Sequence, residues 1–288
     1  MSLGILKIEG EVLNAEIVCL GNELLIGRTV NTNATEIALA LTKIGFNVTR
    51  AVTIQDDHKS AKTEIGEIFR RNPKVLIVSG GLGPTHDDIQ LSILADATSR
   101  PLKVNNEALD MLAKRYGKTV DDLPATAIKM ARIPEGSVAL INTEGTAPGV
   151  WFKHHETHIF CLPGVPREMR DILQKEVLMR LKQEFKLTME MIEYGFDMRG
   201  AGESAIQPIT EAVMKIYPAV NFKSHPKRDD TGYWLSMHTY LLTNSGEQVY
   251  EACACWKTEI EKKFDIKSSV IKPIFDHKFK SENVTGDE

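Results

Sequence analysis

Over the first two-thirds of the chain, short and nearly unbroken apolar runs alternate with stretches in which apolar residues recur every three or four positions. The runs are strand-sized and the stretches helix-sized, an order that predicts a mostly parallel sheet covered by helices on both faces, a three-layer α/β/α unit. Ala15 to Leu20 reads as the first strand. From Asn33, residues Ile37, Ala38, Leu41 and Ile44 repeat at helical spacing, and Gly45 supplies the stop. Phe46 to Thr53 reads as the second strand and Lys59 to Arg70 as the second helix, with Ile65, Ile68 and Phe69 turned inward. Lys74 to Val78 is almost wholly apolar, as the buried centre of such a sheet requires, and runs directly into Ser79-Gly80-Gly81-Leu82-Gly83-Pro84-Thr85. Helical patterns follow at Gln90 to Thr98 and Glu107 to Tyr116, then strand-like segments at Ser137 to Ile141 and Gly149 to Phe152. The strand His158 to Leu162 and a helix from Arg167 to about Phe185 complete the unit.

The pattern changes near Lys186 to Glu190. Beyond it the expected order is β-α-β-β-α: strand Met191 to Met198, helix Glu203 to Ile216, strands Val220 to Ser224 and Tyr233 to Leu242, and helix Gln248 to Phe264. The expected organisation is therefore a larger α/β domain at 1–187, a smaller α+β domain at 190–265 and a tail at 266–288 with no clear period. Ser281 to Glu288 are expected to fray.

Composition mainly excludes. With 288 residues, 42% hydrophobic and 26% charged, the chain has material for two globular domains and none of the bias of collagen, coiled coil or general disorder. Lys and Arg number 35 against 39 Asp and Glu, so no whole-chain basic field exists to bind nucleic acid or anionic membrane, and any polyanion must be held locally. No apolar run approaches the roughly 20 residues of a membrane span, and the start lacks a charged and apolar leader pattern, which together lead to the expectation of a cytoplasmic protein. Cys19 and Cys161 stand alone in strand-like runs and fit buried thiols better than a disulfide framework.

The strongest chemical signal is Ser79 to Asp88, SGGLGPTHDD. Three glycines after a buried strand let backbone N–H groups approach a phosphate closely, without Lys or Arg. Asp87 and Asp88 close the loop; carboxylates beside a phosphate repel it unless a hard cation lies between them. The simpler alternative is a Gly-rich turn in which Asp88 caps the next helix. After strand one, the segment Gly21 to Asn33 is long for a connection, and after strand two comes Gln55-Asp56-Asp57. Ligands of open α/β sheets bind outside the carboxyl ends of the strands, so loops 21–33, 54–58 and 79–88 should converge on one crevice, making Asp56 a second acid unless it is a helix cap. Neither a G-x-G-x-x-G nor a G-x-x-x-x-G-K-[ST] pattern appears, which leaves nicotinamide dehydrogenase and P-loop readings unsupported. Asn142 to Gly149 and Leu162 to Glu168 are two more turn-dense loops beside strands.

Together, GNELLIG at 21–27 with Thr32-Asn33, GGLGPTHDD at 80–88, NTEGTAPG at 142–149 and LPGVPREM at 162–169 resemble the MoaB/Mog-type molybdopterin-binding fold. More closely, they resemble the amino-terminal part of the CinA (competence/damage-inducible) family. The small domain, with Gly200-Ala201-Gly202-Glu203-Ser204 before its first helix, is similar to the KH-like domain that follows in CinA proteins. No part of the chain resembles the nicotinamide mononucleotide amidohydrolase domain of longer CinA proteins, so deamidase activity is not expected.

The resemblance implies a metal-dependent pyrophosphatase, using Mg²⁺, Mn²⁺ or Co²⁺, that cleaves ADP-ribose to AMP and ribose 5-phosphate. It carries an essential acid onto Asp88 and the acid after strand two onto Asp56, with Asp87 beside them as a further metal ligand and Glu168 as an outer or general-base group. Ligand contacts are expected from Gly80, Gly81, Leu82, Gly83, Thr85, Asn22, Glu23, Asn33, Gly145, Thr146, Pro148 and Gly164. Two departures matter: Asn22 stands where the family often has Asp, and Gln90 where it usually has Thr, so a carboxylate and a hydroxyl are expected to be missing near the site. Two other readings stay open: molybdopterin binding or adenylyl transfer in cofactor biosynthesis, and a non-catalytic nucleotide-binding module. The expected partners are a nucleotide or pterin and a second copy of the chain in a homodimer, with no nucleic acid and no membrane. Nucleic acid is disfavoured because 190–265 carries eight Lys and Arg against twelve Asp and Glu and lacks a G-x-x-G clamp. Cys253 and Cys255 fall on different faces of one helix and read as packing, and His154, His155 and His158 read as a solvated hairpin tip.

Overall fold

A computed structural model describes residues 13–274. They divide into two compact units with the boundary between Thr188 and Met189. In chain order the larger unit contains β1 (Asn14–Leu20), α1 (Asn22–Leu25), α2 (Thr32–Lys43), β2 (Asn47–Ile54), α3 (His58–Arg71), β3 (Val75–Ser79) and α4 (Gln90–Ala97). Next come β4 (Leu102–Val104), α5 (Asn106–Tyr116), α6 (Ala125–Met130), β5 (Arg132–Pro134), β6 (Val138–Leu140), β7 (Gly149–His154), β8 (Thr157–Leu162), α7 (Pro166–Ile172) and α8 (Leu178–Glu184).

Six strands form the main sheet in the order β2-β1-β3-β8-β7-β6. The pairings from β2 to β8 are parallel, and β7 and β6 continue the sheet antiparallel. Side-chain alternation explains the two helix layers. Ile17, Ile77 and Phe160 stand in register and pack with Ile37, Leu41, Ile172 and Leu181 of α2, α7 and α8. One residue on, Val18, Val78 and Cys161 point the other way, into a second core with Ile65, Ile68, Ile93 and Leu112 of α3, α4 and α5. All of these side chains are at most 1% exposed, and each buried aliphatic one contributes about 1.5–3 kcal/mol.

Several elements differ from the sequence expectations. The long connection after β1 contains the short helix α1, β4 lies between α4 and α5, and α6 and β5 lie between α5 and β6, with β4 and β5 paired as a ribbon; all are too short to show a period. The single helix expected from Arg167 is interrupted by one π-helical turn, Leu173–Val177. The histidine group is not a solvated tip as a whole: His155 does occupy the β7–β8 turn with φ 50°, but His158 is 2% exposed, stacked on Trp151 and tilted against Phe185. Its position in β8 turns it inward, and burial holds its imidazole below the ordinary value. Cys19, Cys161 and Cys253 are free and buried, and Cys255 is half-buried. Burial raises the Cys253 thiol to about 11, which leaves it unreactive.

The smaller unit contains β9 (Glu190–Met198), α9 (Glu203–Ile216), β10 (Asn221–Asp229), β11 (Gly232–Thr243), α10 (Glu247–Phe264) and β12 (Lys272–Pro273). Its antiparallel sheet, β10-β11-β9-β12, buries Phe196, Leu235 and Met237 against Ile206, Val213, Trp256 and Ile260 of its two helices. The order begins β-α-β-β-α. The short strand β12 lies in the segment that shows no clear period in the sequence, and its Lys272 and Pro273 pair with Gly195 and Tyr194. The fraying expected at Ser281 to Glu288 lies outside the described residues. Among the described residues, no helix is long and apolar enough to cross a membrane.

Candidate functional site

The carboxyl ends of β1, β2, β3 and β8 all open on the same side of the main sheet, because these strands are parallel neighbours. The glycine loop leaves the central strand β3. Gly80 has φ 105°, and a Cβ there would run into the Leu20 carbonyl oxygen, so only glycine turns the chain this close to β1. The Gly80 N–H is used in the fold, donating to the Leu162 carbonyl at 3.0 Å. The next three N–H groups, of Gly81, Leu82 and Gly83, donate to no acceptor among the described residues. Three successive uncommitted donors are what a bound anion requires.

The acids of the loop turn back on it. Asp88 Oδ2 accepts from the Thr85 N–H at 2.8 Å and from the Thr85 hydroxyl at 2.6 Å, and that hydroxyl also reaches Asp87. Helix α4 begins after Ile89 with no side-chain cap, so Asp88 is not a helix cap. After β2 it is Asp57 that caps α3, accepting from the Ser60 N–H at 2.7 Å, which leaves Asp56 uncommitted to the helix. Asp56 instead accepts from the Asn22 N–H at 2.9 Å. Its carboxyl is raised above the ordinary 3.8, first by burial and then by repulsion from Glu23, Asp87 and Asp88, against the opposing effect of the Asn22 hydrogen bond. Hydrogen bonding from Thr85 holds the Asp87 carboxyl low.

Two cavities, each of about 450 Å³, flank the glycine loop and share Gly81, Leu82, Gly83, Pro84, Asp88 and Met130. The first adds Tyr116, Thr146, Ala147, Gly164, Val165 and Glu168. The second adds Thr85, His86, Ser92, Lys129 and Arg132. A smaller one of about 80 Å³ is lined by Glu23, Asn33 and Gly164 among others. The expected residues Gly80, Asn22, Asp56, Asp87, Gly145 and Pro148 line none of these three.

Some of them act behind the lining. A Cβ on Gly145 would collide with the Glu168 carboxylate, so a side chain there would displace that carboxylate from its present position under the loop 142–149. Asn142 ties the arrangement, donating to Glu168 Oε2 at 2.6 Å and to the Ala147 carbonyl at 2.8 Å, while its own oxygen accepts from the Gly145 N–H at 2.8 Å. Buried Asp171 accepts from the Thr143 N–H and hydroxyl, each at 2.8 Å, and fixes the same loop from below. Asn33 likewise works as a clamp, donating to Ser79 Oγ at 3.0 Å and to the Gly164 carbonyl at 2.9 Å. Gln90 is fully buried and faces neither cavity, so its difference from a hydroxyl residue alters packing under the loop and removes no ligand contact. Lys129, Arg132 and Tyr116 are lining residues that sequence reasoning missed; Lys129 and Arg132 sit on α6 and β5, which no period announced.

A family model described as a probable molybdopterin binding domain matches residues 16–183, which include the whole glycine loop and both cavities. The chain belongs to this molybdopterin-binding domain family. A protein of Saccharolobus islandicus is 39% identical over 213 residues, covering 74% of this chain and 80% of the relative. One from Pyrococcus horikoshii is 40% identical over 220 residues, covering 74% and 84%. Among solved structures, the CinA protein of Thermoplasma acidophilum, described as of unknown function, is 34% identical with a TM-score of 0.54; the match covers 60% of this chain and 98% of that one. The molybdopterin-binding domain is thus CinA-like, with a MoaB/Mog-type α/β fold.

The resemblance to CinA implies a divalent metal, and the donor set of this molybdopterin-binding domain bears on it in two ways. Among the described residues, no three His, Cys, Asp or Glu side chains converge as a ready-made cage. Yet Glu23, Asp87 and Asp88 each repel the Asp56 carboxylate, and among the described residues no Lys or Arg is ion-paired to the three aspartates. Such a site fits a hard cation of the Mg²⁺ type, which uses one or two carboxylates and completes its shell with phosphate oxygens and water.

Proposed function

We propose that the crevice hydrolyses a pyrophosphate bond in a nucleoside diphosphate sugar, with ADP-ribose as the first substrate to test. The observation that carries the reading is Asp88: it is free of any capping duty and lies on the wall common to both cavities, beside three uncommitted backbone donors. Water would attack one phosphorus, and the bridging P–O bond would break with its oxygen leaving on the other phosphate, giving AMP and ribose 5-phosphate. The N–H groups of Gly81 to Gly83 would bind the phosphate oxygens and hold the charge that builds on them during attack. Asp88 and Asp56 would hold a divalent cation, which when bound neutralises phosphate charge. Thr85 would orient Asp88, since its N–H and hydroxyl fix one carboxylate oxygen. Glu168, on the wall of the first cavity and hydrogen-bonded by Asn142, would take a proton from water.

The test is AMP release from ADP-ribose by the purified protein with Mg²⁺, Mn²⁺, Co²⁺ or chelator, beside Asp88→Ala, followed by chromatography. Metal-dependent AMP that disappears in the variant supports the reading. No AMP with any metal, in protein shown to be folded, overturns it for this substrate. A second reading, pterin binding in molybdenum cofactor biosynthesis, is favoured by the family model. It expects retention on an immobilised pterin in place of AMP release.

A further inference from the structure

The two cavities beside the glycine loop differ in charge. The first offers the ring of Tyr116, which is 38% exposed, with Met130, Leu82 and Val165, and its only charged lining groups are Asp88 and Glu168. The second contains Lys129, Arg132 and His86. Lys129 is committed to the loop: its ammonium donates to the Thr85 carbonyl and, at 3.2 Å, to that of Asp88. Arg132 is exposed on β5 and forms no ion pair among the described residues. Its guanidinium is the fork best matched to a phosphate. An anionic group in the first cavity would meet two carboxylates and no cation, whereas a planar ring there would stack on Tyr116. The charges therefore decide which end of a ligand goes where.

We propose that a nucleotide straddles the glycine loop, with its base in the Tyr116 and Met130 cavity, its proximal phosphate on the Gly81 to Gly83 amides and its distal phosphate on Arg132. This rests on the nucleotide reading above and deepens it: Arg132 is the residue that selects diphosphates over monophosphates, and the leaving sugar phosphate departs through the second cavity. Lys129 is a positioning residue that holds the acidic turn.

The experiment is calorimetric titration of AMP and of ADP, with Mg²⁺, into the full chain and into Arg132→Gln, Arg132→Glu and Tyr116→Ala, each checked for an unchanged melting temperature. The wild type is expected to bind ADP about tenfold more tightly than AMP, the scale of one charge-assisted contact. Arg132→Gln should erase that gap by weakening ADP alone, and Arg132→Glu should place ADP below AMP. Tyr116→Ala should weaken both nucleotides by a similar factor. Equal effects of Arg132→Gln on AMP and ADP, or none on either, overturn the assignment while leaving nucleotide binding in place. Failure of both nucleotides to bind the wild type overturns it together with the reading beneath it. The expected binding pattern without AMP release from ADP-ribose supports the assignment and removes only the hydrolase reading.

Discussion

The two ends of strand β1 treat carboxylates in opposite ways. At the amino end, Glu16 is 3% exposed and fully answered: Arg71 donates to its two oxygens at 2.8 and 2.7 Å and also reaches Glu64 at 3.2 Å. This pairing holds the Arg71 guanidinium still further above its usual value. At the carboxyl end, Glu23, Asp56, Asp87 and Asp88 face one another across three loops, and hydrogen bonds from Asn22 and Thr85 are their main relief. The sheet is the same and the residue type is the same. What differs is where the cations go: Arg71 pairs directly with the Glu16 carboxylate, whereas the Lys129 ammonium at the carboxyl end donates to the Thr85 and Asp88 carbonyls and leaves the carboxylates without an ion pair among the described residues.

The largest expected effect separates the two ends by function. Asp88→Asn keeps an acceptor for Thr85 but removes the charge, and should lower AMP release from ADP-ribose about a thousandfold, about 4 kcal/mol in activation free energy, with the melting temperature nearly unchanged. Glu16→Ala is the mirror experiment. It leaves Arg71 without its buried partner and should cost about 2 kcal/mol of stability, less than a fully buried pair because Arg71 is 33% exposed and can reach water. Urea unfolding should show that loss, while activity per folded molecule stays at the wild-type level. If Glu16→Ala instead abolished turnover in folded protein, the division between the two ends would be wrong.

How much of this contrast was legible in the sequence follows from element length. The strands β1, β3 and β8 were visible because both faces are buried and their residues are almost all apolar, and the glycine loop was visible because three glycines directly follow one of them. The acids were only half legible. Asp56 and Asp57 are adjacent, and spacing cannot tell a cap from a site residue; the direction of the backbone decides it, giving Asp57 to Ser60 and Asp56 to Asn22. Lys129 and Arg132 were illegible because a six-residue helix and a three-residue strand show no period, and their meaning depends on the distant loop they face. Asn142 and Asp171 looked like ordinary loop and helix residues, since their partners lie 26 and 28 positions away.

A smaller effect sharpens the picture beneath the loop. Gln90 is fully buried with neither its amide nitrogen nor its oxygen hydrogen-bonded among the described residues. An unmatched buried amide is costly, so the near-isosteric Gln90→Met should raise stability by about 1 kcal/mol, visible as a melting temperature about 2–4 °C higher. Because Gln90 touches neither cavity, nucleotide affinity should not move. A loss of affinity would show that its amide reaches the loop and that the carboxyl end spends stability on function at neutral residues too.

The smallest effect is the one most specific to the acidic end, and its sign can be worked out. The folded state raises the Asp56 carboxyl above 3.8, so between that value and the folded one the native state holds more proton than the unfolded chain. Stability therefore falls as pH rises through this window and stays lower above it. Asp56→Asn removes the charge while keeping an oxygen for the Asn22 N–H, and should raise stability near pH 7 by about 0.5 kcal/mol, in keeping with a half-buried group partly screened by solvent. Below pH 3.8 the gain should vanish, because the aspartate is then protonated in both states. Divalent cations provide the complementary measurement, since an ion bound by the native acids stabilises the fold by mass action. Mg²⁺ should raise the melting temperature of the wild type more than that of Asp56→Asn. If Asp56→Asn were instead destabilising at pH 7 and indifferent to Mg²⁺, the Asn22 contact would outweigh the repulsion, and Asp56 would belong with Glu16 among the acids that hold the fold.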